Sequence, residues 1–348
     1  MSKEETLDLQ DERDEMYEHY RIIVDQGQSL LRIDKFLINR LENTSRNKIQ
    51  MAAKAGNILV NDKAVKPNHK IHPNDVISIV MTHPPRDIEI IPENIPLEIV
   101  YEDDDLIIIN KRPGMVVHPA YGNYTGTLVN ALTYYFNQQK NKDGEIVKPY
   151  LVHRIDKDTS GIMIVAKTEL AQTRLANDFF HHTIDRKYQA LVWGDFKEES
   201  GTVIGHIGRS LKDRKVMSVF PDGEYGKHAT THWRVIERLG YVTLIECKLE
   251  TGRTHQIRAH MRYIKHPLFN DATYGGDEIL KGTTFTKYKQ FVQNCFKMLP
   301  RQALHAKSLG ITHPITQEKL FFDSELPEDM ATTIDKWRQY AKHIEEEN

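Results

Sequence analysis

The sequence predicts an α+β protein of two bodies: a small α/β module near the N-terminus, and beyond a linker a larger domain on a mixed, mainly antiparallel sheet with flanking helices. Three observations carry this. Most of the second half alternates polar and apolar residues as strands do, for instance over Lys187 to Trp193, Ala229 to Ile236 and Tyr241 to Leu249. Strands and helices do not alternate one for one, which excludes a regular parallel βα repeat. Pro84, Pro85, Pro92 and Pro96 punctuate residues 81–97, which read as an extended linker between domains.

At 348 residues, with 39% hydrophobic and 28% charged side chains, the chain can bury more than one core. Net charge is only -2, but it is unevenly spread. Residues 1–20 hold eight acidic and two basic side chains and are expected to form a disordered leader. Residues 31–80 hold nine basic and four acidic ones. Two cysteines, Cys247 and Cys295, exclude a disulfide framework and a Cys-rich zinc site and suit a reducing compartment. No signal-like apolar leader and no stretch of membrane-spanning length is present, so a soluble, cytoplasmic protein is expected.

The basic module spans residues 21–80. Asp34 to Leu41 predicts a short helix, and Ser45 is a natural N-cap for a second helix from Arg46 to Ala55, stopped by Gly56. Arg46, Gln50 and Lys54 recur every fourth residue on one face, with Ile49 and Ala53 on the other. Short strands follow, turning at Asn61-Asp62 and Pro73-Asn74-Asp75 and ending in Val76 to Val80. A rigid helix with cations one turn apart can meet successive phosphates. The block Leu31-Arg32-Ile33-Asp34-Lys35-Phe36-Leu37 through Gly56-x-Ile58-x-Val60-Asn61 resembles an S4 domain, a small RNA-binding module. That resemblance implies Arg32, Arg46, Gln50 and Lys54 as RNA contacts.

The larger domain is expected over residues 98–335, followed by a charged tail, 336–348. Two strands flank the acidic turn Glu102 to Asp105; Thr127 caps a helix to Phe136, and Thr168 caps another to about His181. Between them lies the run His153-Arg154-Ile155-Asp156-Lys157-Asp158-Thr159-Ser160-Gly161, leading into the apolar strand Ile162 to Ala166. Arg154 and Asp156 lie two residues apart, on one side of an extended segment, where the cation favours the ionised carboxylate. An acid held as its anion can act as nucleophile or base.

His-Arg-Ile-Asp-x-x-Thr-Ser-Gly resembles the active-site signature of the RluA-type pseudouridine synthases, with Ile155 where Leu is usual. Further blocks follow in family order. They are Lys111-Arg112-Pro113-Gly114 with Val116-Val117-His118-Pro119, Arg186-Lys187-Tyr188-Gln189-Ala190, Glu250-Thr251-Gly252-Arg253-Thr254-His255-Gln256-Ile257-Arg258, and Arg301 to Ala306. The resemblance implies Asp156 as the catalytic carboxylate, attacking C1′ or C6 of the uridine or acting as a base. It implies Arg253 as the cation that pairs with Asp156, and Tyr188 as an aromatic platform whose phenol handles a proton. Arg154 would fill the gap left by a flipped-out nucleotide, and His153, Lys187, His255, Gln256 and Arg258 would contact substrate. Read from the residues alone, Arg253 stands at a helix N-terminus, where a cation needs a nearby anion. Thr254 is the expected cap of that helix, whose buried face is Ile257, Met261 and Ile264. His266-Pro267, Asp271-x-x-Tyr274-Gly275-Gly276 and the Arg301 block read as structural support.

No Gly-rich phosphate loop and no metal-ligand spacing is found, so neither cofactor nor metal is expected. The implied partner is RNA, first 23S rRNA or large ribosomal subunit particles, with no membrane and a monomeric enzyme. His118 to Asn123, Thr231 to Arg238 and Leu326 to Asp329 are nearest to family members acting on the intersubunit stem-loop of 23S rRNA. The polar insertion near Asn137 to Lys148 departs from the family pattern. The alternatives are tRNA as substrate, a non-catalytic RNA-binding or ribosome-assembly factor, and a glycosidase-like hydrolase pairing Asp156 with Asp158, for which a separate second acid is not evident.

Overall fold

A computed structural model describes residues 17–41, 44–81, 90–120, 123–139, 146–210, 213 and 216–347. The chain divides into two compact units, one built mainly from residues before Pro92 and the other mainly from Pro92 onward. The smaller contains β1 (Tyr17–Ile23), β2 (Leu31–Arg32), α1 (Ile33–Ile38), α2 (Arg46–Lys54), β3 (Ile58–Val60), β4 (Lys63–Ala64), β5 (Lys70–Ile71) and β6 (Val76–Met81). The larger contains β7 (Ile99–Glu102), β8 (Leu106–Lys111), α3 (Leu128–Phe136), β9 (Tyr150–Leu151), β10 (Ser160–Ala166), α4 (Glu169–Phe180), β11 (Asp185–Trp193), β12 (Ser200–Arg209), β13 (Met217–Phe220), β14 (Lys227–Arg238), β15 (Val242–Leu249), α5 (Gln256–Tyr263), α6 (Thr286–Met298), β16 (Leu304–Thr312), β17 (Lys319–Asp323) and α7 (Glu328–Glu347).

In the smaller unit β1, β6, β3 and β4 form one sheet in that order. Its core is aliphatic, with Ile33, Leu37, Ile49, Ala53, Ile71 and Ile77 buried together. Ser45 caps α2 by accepting from the Lys48 N–H, and Gly56 takes the left-handed backbone, φ 75, that ends it. β1 starts at Tyr17, so the end of the stretch expected as a disordered leader is paired with β6, Glu18 opposite Val80. Its charge pattern hid this: as a strand on a sheet edge, it buries little of itself, Tyr20 and Ile23 being exposed. The rest of that leader, residues 1–16, lies outside the described residues, as do 82–89 of the linker and 140–145 of the polar insertion.

The larger unit is organised, among the described residues, by one eleven-stranded sheet in the order β13-β12-β14-β15-β11-β16-β10-β8-β7, with β17 beside β16 and β9 beside β10. Every pair is antiparallel except β10 with β16. That parallel contact is short, Ser160 opposite His305 and Gly161 opposite Ala306. Gly161 permits it: at φ 118, a Cβ there would stand 2.2 Å from the Ala306 carbonyl oxygen. β10 is buried at all seven positions, as its unbroken apolar run requires of a central strand. The linker's end is anchored in this unit, since Ile95 and Leu97 pack on the main core.

α6 and α7 cover a second core around Trp193, Phe269, Phe296 and Trp337. α7 runs through the expected tail from residue 336, and Trp337 within it is fully buried. The charged residues concealed an amphipathic helix whose inner face is Met330, Thr333, Ile334 and Trp337. No helix among the described residues is long and apolar enough to cross a membrane. Trp337→Ala should lower the stability of the larger unit by about 3–5 kcal/mol, read as a fall in its urea midpoint; an unchanged midpoint would show that α7 is not part of the cooperative unit.

Candidate active site

Asp156 sits within the irregular segment between β9 and β10, its side chain about one-fifth exposed. The loop around it is bolted at successive positions. The Thr159 N–H donates to the Asp156 carbonyl at 3.1 Å. The buried Lys111 ammonium donates to the Lys157 carbonyl at 2.9 Å and to the Arg112 and Met115 carbonyls at 3.0 and 2.9 Å. Burial pushes Lys111 down to about 7 while the Asp156 and Asp158 carboxylates pull it back, and three carbonyl acceptors match the three protons of an ammonium. From the Arg301 block, Arg301 donates to the Asp158 carbonyl at 2.9 Å, braced by a two-pronged pair with Asp329, and Ser160 is bonded to His305 at 2.9 Å.

The guanidinium bonded to Asp156 is that of Arg258, Nη1 to Oδ2 at 3.0 Å, where the sequence suggested Arg253. Spacing could not reveal this. Arg258 lies inside the first turn of α5, nearly buried, and is aimed from behind by Asp271, which accepts from its Nε at 2.7 Å and its Nη2 at 2.9 Å. Tyr274 lies under the same guanidinium at 5.0 Å, and its hydroxyl accepts from the Met217 N–H and is bonded to His255 Nδ1. His255 Nε2 comes within 3.8 Å of Asp156. Burial raises the Asp156 pKa, but His255, Arg258 and Arg154 together more than reverse this, and the carboxyl is held below its ordinary value. The group is therefore an anion above the usual carboxylate range.

An open cleft of about 450 Å³ exposes this carboxylate, lined by Arg154, Asp156, Arg186, Tyr188, Gly252, Arg253, His255 and Arg258 among others. Tyr188 presents its ring from β11. Arg253 is a wall residue whose Nε donates to the His228 carbonyl. Gln256 also touches the cleft, but its amide is spent on structure. Its oxygen accepts from Arg253 N–H and Thr251 Oγ1, and its nitrogen donates to the Thr230 carbonyl and Thr231 Oγ1. Gln256, rather than Thr254, closes the turn that leads into α5, and His255 at φ 52 is the N-cap residue.

Two expected substrate contacts are placed elsewhere. His153 is buried, its Nε2 accepting from the Ile164 N–H and its ring stacked on Phe179, and burial pushes it down to about 3, so it is a neutral pin between the loop and β10. Lys187 is half-buried and lies 3.7 Å from Glu246. Strand alternation puts Arg186 and Tyr188 on the cleft face instead, a signal present in the sequence and passed over. Asp103, Asp105 and His313 form one cluster with metal-ligand character among the described residues, but His313 Nδ1 accepts from the Ile315 and Thr316 N–H groups. Its Nε2 thus bears the proton and donates to Asp103, so the ring is committed as a donor.

In the smaller unit three of the four expected RNA contacts, Arg32, Arg46 and Gln50, are arranged around an acid. Asp34 is fully buried and accepts from Arg32 at 2.9 and 3.0 Å, Arg46 at 3.1 and 3.2 Å and Gln50 at 2.8 Å. Burial raises its pKa, and these donors overcome that to hold it far below the usual range. Arg32, Gln50 and Lys54 line a groove with Lys66 and Asn68, and Arg32 and Arg46 keep nearly half of their side-chain surface in water.

A large mixed sheet that carries an ionised aspartate in an arginine-rich cleft, in a chain that also holds a small basic module, fits an enzyme acting on a polyanion, and comparison with known proteins gives its class. Residues 105–263 match the family described as RNA pseudouridylate synthase, and residues 31–77 match the S4 domain. An uncharacterized RNA pseudouridine synthase of Chlorobaculum parvum is 45% identical over 317 residues, 90% of this chain and 96% of that one. An uncharacterized RNA pseudouridine synthase of Bacillus subtilis is 42% identical over 91% of this chain and 98% of its own length. The ribosomal large subunit pseudouridine synthase D of Zymomonas mobilis is 41% identical over 86% of this chain and 91% of its own length. The human RNA pseudouridylate synthase domain containing 4 shares the fold, with TM-score 0.54 at 21% identity over 69% of this chain and 93% of that chain. The chain belongs to the RNA pseudouridine synthase family, a family of isomerases, and carries an S4 domain.

Arg258→Gln should reduce turnover by at least about 10²-fold and move the acid limb of the pH–rate profile upward. If Asp156 acts as its anion, activity should fall as pH drops through its pKa, and without Arg258 burial should raise that pKa. A limb that stays in place would show that Arg258 does not govern the ionisation. In the smaller unit, Asp34→Asn should cost about 1–3 kcal/mol, less than a fully buried pair because both arginines reach solvent. Since the Asp34 pKa is depressed, its contribution should be complete well above pH 3.8 and be lost progressively as pH falls from there through the much lower folded-state pKa; urea titrations of wild type and variant should converge in strong acid.

Proposed function

We propose that this enzyme isomerises specific uridines of large-subunit (23S) ribosomal RNA, with Asp156 as the catalytic carboxylate. The observation that carries the chemistry is the cleft's single acid, held ionised, in a lining that also contains Tyr188 and four arginines. Pseudouridine formation breaks the N1–C1′ bond, turns the base, forms C5–C1′ and moves the C5 proton off carbon while N1 gains one. Atoms and electrons balance without an external reagent. The anion supplies the step that opens the reaction, whether at C1′, at C6 or as a base, since each needs an ionised carboxylate within reach of the nucleoside. Tyr188 stacks on the detached base and handles the C5 proton. Arg154 occupies the space of the flipped-out nucleotide and offsets an unstacking cost of roughly a few kcal/mol.

The rRNA target is supported by relatives named ribosomal large subunit pseudouridine synthase D in Zymomonas mobilis, Haemophilus influenzae and Vibrio cholerae, 38 to 41% identical over at least 86% of this chain. The S4 unit adds sequence-independent phosphate contacts through Lys54, Arg32 and Arg46. We place the enzyme in the cytoplasm as a monomer that takes no metal or cofactor. The experiment is tritium release from 23S rRNA transcribed with uridine labelled at C5. Wild type should release label, and Asp156→Asn, checked for an unchanged melting temperature, should be slower by at least about 10³-fold. Release at the wild-type rate from the folded variant would remove Asp156 from the mechanism, and release only from tRNA would reassign the substrate.

A further inference from the structure

We propose that Arg186, in the space left by Gly252, forms an anion site for a phosphodiester of the RNA strand beside the target nucleotide. The identity of the ligand rests on the function proposed above. Arg186 is the second residue of β11 and shares the cleft face with Tyr188. It is only 8% exposed, its Nε has no hydrogen-bond partner, and none of the described residues is hydrogen-bonded or ion-paired to its side chain. Its support is the face of Phe179, 5.1 Å from the guanidinium carbon.

A buried cation without an anion is costly, and this protein shows the usual remedy elsewhere. The equally buried Arg258 and Arg301 each hold a carboxylate in two prongs, Asp271 and Asp329. Arg186 has none. Its charge is felt by its surroundings: after burial, Arg186 is a cause of the lowered pKa of both His153 and His182. Room for the group is specific as well, because a Cβ at Gly252 would stand 2.9 Å from Arg186 Nη1. The cleft wall also carries Arg154, Arg253 and Arg258, and the carboxylates of Asp156 and Asp271 are both engaged by Arg258, not by Arg186. The missing counter-charge matches the one anion that every nucleotide of the substrate brings. A planar guanidinium meets a phosphodiester in two prongs, a geometry that a base edge does not share with every sequence.

The test combines salt-dependent binding with tritium release, using a 23S rRNA stem-loop fragment labelled at uridine C5. Arg186→Gln should weaken binding roughly tenfold at low salt and reduce the slope of log Kd against log salt by about one, while Arg186→Lys keeps the slope. Gly252→Ala should reproduce the Arg186→Gln slope by displacing the guanidinium. Independently of any folding defect, uncharged methylphosphonates placed one at a time around the target uridine should reveal a position that weakens wild-type binding but is silent in Gly252→Ala. An unchanged slope in folded Arg186→Gln, or the absence of such a position, overturns the phosphate site. Wild type that keeps the phosphate-dependent slope but releases no tritium from any RNA would instead sink the catalytic reading and leave the anion site standing.

Discussion

The active site depends on one guanidinium shared between two carboxylates. Arg258 is gripped by Asp271 with two hydrogen bonds and offers its remaining edge to Asp156. Asp271 is itself set by a turn, accepting from the Thr273 and Tyr274 N–H groups, and Tyr274 then supports both Arg258 and His255. The chain of contacts makes the orientation of the Asp156 carboxylate a property of a loop more than a hundred residues away. Preorganisation of this kind places charge before substrate arrives and leaves little to rearrange during reaction. The Arg301 block has the complementary task. It holds residues 158 and 160 while Arg258, on α5, holds the Asp156 side chain, so position and ionisation are fixed by separate parts of the chain.

The smaller unit solves a related problem with opposite sign. Basic residues spaced one turn apart would repel one another and wave freely in water. Asp34, placed at the foot of α1, binds Arg32, Arg46 and Gln50 at once and turns three flexible side chains into a fixed surface. It neutralises part of the charge and reduces the entropy lost when RNA is bound. The local net charge therefore overstates the number of unengaged cations.

Local elements were legible because their signals are local. Ser45, Thr127 and Thr168 each cap the helix that follows, and the apolar run after Gly161 is the central strand. Asp156, Tyr188 and Arg154 share the cleft that the motif order suggested. What failed depended on distance or on face. Arg253 and Arg258 are five residues apart in one motif, and only Asp271, outside it, decides which meets Asp156. Lys187 is the expected contact, whereas strand alternation puts Arg186 on Tyr188's side. The terminal helix was hidden because solvent-facing charge outnumbers its single stripe of Met330, Ile334 and Trp337.

The parallel contact between β10 and β16 carries a consequence for synthesis of the chain. Gly161 meets Ala306, and Ser160 is bonded to His305 across 145 positions of sequence. Arg301, which holds the same loop, is braced by Asp329 at the start of the last helix. A ribosome must therefore have passed Asp329 before the aspartate's loop acquires its backing. Shorter nascent copies carry the motif without the geometry that holds it.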